Sequence, residues 1–484
     1  MSRKQSYSYY PPFLIPLLTL ILIVLTVATV IVAITGPKQG TAVIDGTTTA
    51  SPDSDPDGSG SESERPSTPA QSGSSGVTDE PKPGVTYTDI TLLSAGDIMF
   101  HGDNVVAGDH DGDGVYDFSP FFQYLPEIVG RYDYAVANLE TTFSGGSVGY
   151  TRPSQTSFNT PDAALSAIRA CGFDMMLFAN NHTNDRRLAG LTRTVTKVRE
   201  SGMELIGASD EKNGQMWQVV DVKGTKLGML NYTNDGTWGE AATNTLNGVA
   251  LGDSEGYVNV FYLAKLAEFY RRVEQDIAAV KAAGADLVVC YIHWGPEYDV
   301  QPRQNTKQIA QSLCDLGVDA IIGSHPHVVQ PMEVLTSSTD PDRKTICFYS
   351  LGNFLSNQNR KTLDRTDCYG NDPENTENGL MVVLTIRKYS TGQTLLVSAE
   401  TIPTWVHRYE NRDGKNYRII PLRDALKAPA SFGLDDSAFG REHAAASLAY
   451  TEDLLSDAVE AFVSSIRLPS GTEGAVPASA SRKD

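Results

Sequence analysis

Apolar residues are laid out in three different ways along this chain. Residues 13–35, FLIPLLTLILIVLTVATVIVAIT, form one uninterrupted run without a charge. A bilayer core calls for about 20 such residues, whereas a cleaved signal peptide has a shorter apolar region of about 7–15. The run therefore predicts a retained transmembrane anchor. Residues 36–87 show no apolar period and are rich in Ser, Gly, Pro, Thr and Asp. Such a stretch cannot bury enough apolar surface to offset chain entropy, which predicts a disordered acidic linker. From 88 onward, short apolar runs alternate with amphipathic ones. DITLLSAGDIMF, YAVANLE, DMMLFANN, MELIGAS, WQVVDV, KLGMLNYT, DLVVCYIHW, AIIGSHPH, ICFYSLGNF and LMVVLTIRKY read as strands. PDAALSAIRACG, LAGLTRTVTKVRES, the stretch from FYLAKLAEFY to VKAAG, and NTKQIAQSLCDLG read as helices. Unbroken apolar strands alternating with helices predict an α/β domain whose sheets are covered on both faces. Tight turns such as VKGT add antiparallel hairpins, so the sheets should be mixed. The domain is expected over 88–410, with a C-terminal helical extension over 411–466 and a disordered tail over 467–484.

Charge narrows the partners. Lys and Arg total 39 against 59 acidic residues, a net charge of −20. Nucleic acid is excluded, because phosphate backbones are bound through Lys and Arg. An anionic substrate would need a local cation. The five cysteines include no CxxC pair, which speaks against a zinc finger, an iron–sulfur cluster or a disulfide scaffold. Arg3 and Lys4 precede the apolar run and few positive charges follow it. That bias puts residues 1–12 in the cytoplasm and the globular domain outside the cell, on a single-pass membrane protein.

Candidate chemistry gathers where the strands stop, which is where open α/β sheets hold ligands. SAGDIMFHGDN gives Asp97 and His101, and VANLETT gives Asn138 and Glu140. FANNHTND gives Asn180, Asn181, His182 and Asp185, and CYIHWGPEY gives His293 and Glu297. GSHPHVVQ gives His325 and His327. If GSHPHV stays extended, its two imidazoles aim at one point, with Pro326 stiffening the segment between them. Carboxylate, amide and imidazole donors without thiolate suit Mn, Zn, Fe or Mg. Taken singly each has a plain reading: Asp97 as a turn residue, Glu140 as a surface carboxylate, Asn181 as a helix cap, His182 or His293 as a core histidine. DHDGDGVYD resembles a calcium loop through Asp109, Asp111 and Asp113, but Pro120 stands where the closing glutamate belongs, so a solvated acidic turn is expected. Ser324 and Ser350 lack a GxSxG elbow. His407 is expected to be structural, and Asn353 and Trp294 either line a pocket or pack.

In order and spacing, GDIM, NLE, NNH, HWGPEY, GSHPHVVQ and YSLGNF resemble the CapA family, the bacterial poly-γ-glutamate capsule-synthesis proteins also called PGA_cap. The resemblance covers about 90–405. That family is similar in turn to calcineurin-like metallophosphoesterases, which implies a four-layer α/β/β/α sandwich around two divalent ions, Mn, Zn or Fe. It implies Asp97 as a metal ligand on the first strand and Glu140 as the carboxylate that bridges the ions. Asn181 would be the amide ligand, and His293, His325 and His327 would complete the shell. His182 would protonate the leaving group. Asp185 is a candidate orienter of His182, or a helix-start carboxylate. Two departures leave the number of ions open. Phosphoesterases open with Asp-x-His where this chain has Asp97-Ile98-Met99, with His101 two residues beyond, and their bridging aspartate is here a glutamate. The implied function is a membrane-anchored, extracytoplasmic metal-dependent hydrolase of an anionic cell-envelope polymer or another phosphoester. Membrane-bound polymer synthase or export proteins are the implied partners. The alternative is a non-catalytic, membrane-tethered polymer-binding or export subunit with a degenerate metal site.

Overall fold

A computed structural model describes residues 84–236, 243–412, 414–434, 438–472 and 474–478. The chain divides into two units, 1–78 and 79–484. The apolar run 13–35 and most of the Ser/Gly/Pro stretch lie outside the described residues. Among the described residues, no helix is long and apolar enough to cross a membrane.

In chain order the main strands are β1 (Thr86–Ile98), β2 (Tyr134–Leu139), β3 (Met175–Leu177), β4 (Glu204–Ile206), β5 (Gln218–Val222), β6 (Thr225–Asn234), β7 (Val260–Phe261), β8 (Leu287–His293), β9 (Ala320–Ser324), β10 (Met332–Thr336), β11 (Lys344–Phe348), β12 (Asn353–Leu355), β13 (Asn378–Tyr389), β14 (Thr394–Asn411), β15 (Gly414–Pro421) and β16 (Val476–Pro477). One sheet runs β15-β14-β13-β1-β2-β3-β4, with β12 and β16 also on β1. The other runs β10-β11-β9-β8-β6-β5, with β7 on β6. Both are mixed: β1 to β4 are parallel and β13 to β15 antiparallel, while β6, β8, β9 and β11 are parallel and β5 and β10 antiparallel.

Burial on both faces explains the unbroken apolar strands. In β1, Ile90 and Leu92 face the second sheet, packing in one cluster with Met229, Val289 and Ile322, while Leu93 and Ala95 face the opposite way. On that outer face lie α1 (Ala163–Cys171) and α2 (Arg187–Glu200), through Leu165, Ile168, Leu191 and Val195. The second sheet is covered by α3 (Leu266–Ala282) and α4 (Gln304–Leu316), through Phe269, Val273, Ile309 and Leu313. The layers are therefore helix, sheet, sheet, helix. A long α5 (Ala438–Ser465) adds Leu455 and Phe462 to the intersheet cluster. All five cysteines are buried and free, as small core residues.

Three expectations at the domain's borders need correction. The stretch 411–466 is not all helix, because Gly414–Pro421 pairs antiparallel with β14 and sends Tyr417 and Ile419 into the core. The tail is not wholly disordered either: Val476–Pro477 pairs with Thr86–Tyr87. The cause is an open edge. β2 joins β1 only from Leu92 onward, so the first half of β1 has a vacant side that the tail fills. For the same reason the ordered domain begins inside the expected linker, at or before Thr86.

The parallel strands β1, β2, β3, β8 and β9 end at one side of the sandwich. Two glycines let the chain close up there. A Cβ on Gly96 would lie 2.0 Å from the Gly352 carbonyl oxygen, and one on Gly323 would lie 2.0 Å from that of Tyr349. Each is next to a site residue or one removed: Asp97 in the first case, Ser324 and His325 in the second.

Candidate metal centre

The site is built where five strands stop. Asp97 is the penultimate residue of β1, and Glu140 follows β2 directly, its N–H donating to the Ile98 carbonyl at 3.0 Å. The Asn138 side chain ties the two carboxylates together: its Nδ2 donates to Asp97 Oδ1 at 2.8 Å and to Glu140 Oε2 at 3.2 Å. Past β3, Asn180 anchors the loop through the Leu139 carbonyl, which leaves Asn181 and His182 facing the carboxylates. From the second sheet come His293 at the end of β8, and His325 and His327 just past β9.

Three imidazoles converge on one oxygen. His182 Nδ1 lies 2.8 Å from Asp185 Oδ2, His293 Nδ1 2.9 Å from Ser324 Oγ, and His327 Nδ1 3.0 Å from Asp97 Oδ2. With each Nδ1 held, each Nε2 turns toward Glu140 Oε1, at 4.0, 3.6 and 3.7 Å respectively. These separations are too long for hydrogen bonds. Glu140 is fully buried, and its Oε1 has no hydrogen-bond partner. Asn181 Oδ1 sits 3.1 Å from His293 Nε2, so an amide oxygen joins the same space.

The electrostatics are unresolved in the way a cation would resolve them. Burial pushes the Glu140 carboxyl well above the usual range, and the charges of Asp97, Glu297 and Asp185 add to it. Burial, then His325, His327 and His182, holds His293 well below the usual histidine range. His325 is lowered to about 3 by burial and by His327, with Asp97 opposing. Neutral imidazoles with ionised carboxylates are the ligand forms, and a divalent ion is the charge that stabilises both. Of the three overlapping donor groups here, two share Glu140. One is Asp97, Glu140 and His327; the other is Glu140, His293 and His325. Within each, ligand atoms lie within 4.8 Å of one another. The residues fit a divalent metal.

The local conformation of SHPH differs from the extended one expected. β9 stops at Ser324, and His325 and His327 have φ of +94° and +57°. Their ring centroids are 5.7 Å apart. The turn therefore splits them, sending His327 to Asp97 and His325 to a place 4.5 Å from the His293 ring. Positive φ at non-glycine residues is strained backbone of the kind that functional sites retain.

Other candidates separate clearly. His101 is buried beside Phe158, with its Nδ1 accepting from the Asn357 N–H, and is not in either donor group. His407 stacks on Trp405. Asn353 donates to the Thr376 carbonyl, and Trp294 to that of Tyr349. Ser350 accepts from the Gly352 N–H, with no nucleophile geometry. Asp109, Asp111 and Asp113 offer carboxylate oxygens within 4.8 Å of one another on the surface. Ser324 and Asn138 are positioning residues; the sequence marks Asn138 as a strand-end candidate and Ser324 as a serine without an elbow, and assigns neither this role. Glu297 is likewise a strand-end candidate and groups with His325 and His327.

The class that these features define is a two-sheet α/β sandwich with groups of residues at its strand ends that could hold divalent ions. Residues 91–358 match the family model described as Bacterial capsule synthesis protein PGA_cap, and the chain belongs to that family. It is 29% identical over 241 residues to the PGA biosynthesis protein CapA of Bacillus subtilis, covering 49% of this chain and 57% of that protein. It is 27% identical over 274 residues to the Capsule biosynthesis protein CapA of Bacillus anthracis, covering 56% and 60%. A probable polyglutamine synthesis accessory protein of Mycobacterium tuberculosis is 26% identical over 212 residues, covering 42% of this chain and 52% of that protein. The chain thus spans little more than half the length of the curated relatives it matches. Among solved structures, the calcineurin-like phosphoesterase YfkN of Bacillus subtilis overlays with a TM-score of 0.36 at 13% identity, covering 66% of this chain and 90% of that one.

Proposed function

We propose that this chain is a membrane-anchored, extracytoplasmic metal-dependent hydrolase acting on an anionic cell-envelope polymer of the poly-γ-glutamate type. One observation carries the metal part: a buried, unpartnered carboxylate oxygen with three imidazole nitrogens turned toward it at 3.6 to 4.0 Å. The names of the Bacillus relatives support the polymer. The uninterrupted apolar run 13–35 and the acidic spacer support the anchor, with the domain outside the cell.

Asp97, Glu140, Asn181, His293, His325 and His327 would hold the ions, Mn, Zn or Fe. Bound divalent ions would acidify water and neutralise charge on the group being transferred. The chain's own residues do the rest. Asp185 fixes His182 through Nδ1, so its Nε2 is the atom presented to the site. Phe158 stacks on that ring at 4.2 Å between centroids and keeps it in place. His182 and Asp185 both line a cleft of about 800 Å³ that reaches His327 and Glu297. His182 is thus placed to give a proton to a leaving oxygen or nitrogen entering from the cleft.

The test combines metal analysis of the full-length protein with turnover of a generic phosphodiester and of a γ-glutamyl amide. His182→Ala should cut turnover by roughly 10²–10⁴-fold while the metal content stays. The accessory-protein name of the mycobacterial relative favours a second, non-catalytic reading. Wild type without turnover on either substrate under Mn, Zn or Fe would select that reading.

A further inference from the structure

The two donor groups are unequal. The one with His293 and His325 gains the Asn181 amide oxygen as a fourth donor beside Glu140. The one with Asp97 and His327 has three donors, and the residue two past Asp97 is Met99, a thioether with little affinity for hard cations. One more carboxylate is in reach. Glu297 Oε1 lies 3.9 Å from His327 Nε2, and a Glu297 oxygen groups with ring nitrogens of His325 and His327 within 4.8 Å.

Glu297 is placed there by backbone. The Trp294 N–H donates to the Ser324 carbonyl at 3.1 Å and the Tyr298 N–H to the Pro326 carbonyl at 2.8 Å. Gln330 Nε2 donates to the Asp299 carbonyl at 2.6 Å. Three bonds thus knit the HWGPEY loop to the SHPHVVQ loop on both sides of Glu297. Its side chain is 37% exposed, at the mouth of the cleft. Among the described residues, no hydrogen-bond donor satisfies this carboxylate and its ion-pair contact is an imidazole. Held by this backbone and partly exposed, the Glu297 carboxylate faces the cleft beside His327, free to meet water or a cation there.

Resting on the metal reading above, we propose that Glu297 is itself a metal ligand that completes the position formed by Asp97, Glu140 and His327. The two positions then differ in kind. Three carboxylates and one imidazole make a hard site that favours Mn or Mg. One carboxylate, one amide and two imidazoles make a softer one that favours Zn or Fe.

The experiment is calorimetric titration of the full-length, chelator-stripped protein with Mn²⁺ and with Zn²⁺. The wild type should bind two Mn²⁺. In Glu297→Gln, one Mn²⁺ should weaken by roughly 10–100-fold and the other keep its affinity. Glu297→Asp, which keeps the charge, should recover part of the loss. His293→Ala should weaken the opposite ion and leave the Glu297-dependent one. Two Mn²⁺ held by Glu297→Gln with wild-type affinity overturns the assignment, and so does loss of both ions together. A wild type that takes up neither metal overturns the metal reading itself, and this assignment with it.

Discussion

Glu140 is held away from water, while Asp97, Glu297 and Asp185 push on it with like charge. Without an ion, its ionised form destabilises the fold. Glu140→Gln removes that charge at nearly constant shape. The metal-free variant should be more stable than the metal-free wild type at pH 8, by on the order of 1–3 kcal/mol. Urea unfolding in chelator measures this. With Mn²⁺ at a thousandfold excess over Kd the order should reverse, because binding to the native state stabilises the wild type by about 4.1 kcal/mol and the variant gains little. At this scale the sequence is partly legible. Residue types at strand ends point to a cation, and the ring of donors can be drawn from them. What cannot be read is which nitrogen each imidazole presents. That depends on Ser324, Asp97 and Asp185 holding the Nδ1 atoms, and these contacts form only in three dimensions.

At the scale of elements, the close approach of β9 to the chain after β11 fixes how far Ser324 and His325 reach. A Cβ at Gly323 would meet the Tyr349 carbonyl at 2.0 Å and the Trp294 indole nitrogen at 2.6 Å. Gly323→Ala should therefore cost about 1–3 kcal/mol, by overpacking, read from the shift in urea midpoint. It should also weaken metal binding by displacing Ser324 and His325, which a remote destabilising substitution would not do. Most strands of both sheets can be read from the chain, because a strand buried on both faces is apolar without a break. β10, most of β14, and β15 escape such a reading, because exposed or half-exposed Glu333, Glu400, Lys415 and Arg418 interrupt the apolar pattern. The SHPH turn escapes it as well. Hydrophobicity carries no information on the sign of φ, and nothing about two histidines around a proline demands left-handed backbone at both.

Across the described residues, five histidines titrate against the fold, His443 among them through burial and the Arg360 charge. Burial holds His101 and His325 down to about 3, His407 to about 4, and His293 well below its usual value. In the unfolded chain each takes up a proton near pH 6.5. Between that pH and the folded values, the unfolded state binds more protons, so acid favours unfolding by about 1.4 kcal/mol per group and pH unit. Glu140, Asp276 and Asp319 act in the opposite sense, because burial raises each carboxyl and the folded form keeps a proton above about pH 4 where the unfolded form has lost it. Three groups oppose five. The metal-free protein should lose stability steadily as pH falls from 6.5 toward 4, with thermal midpoints across a pH series as the check. A midpoint that rises over this window would show that these imidazoles are not buried as described.

The pairing of Val476–Pro477 beside Thr86–Tyr87 brings both ends of the globular unit to one spot. From Thr86, β1 runs its length to Asp97, eleven residues on, or roughly 36 Å at about 3.3 Å per residue. Entry and exit of the polypeptide are therefore at one pole and the donors at the other. A fusion spliced in beside Thr86 or Pro477 therefore sits a full strand's length from the donors and leaves the cleft mouth open.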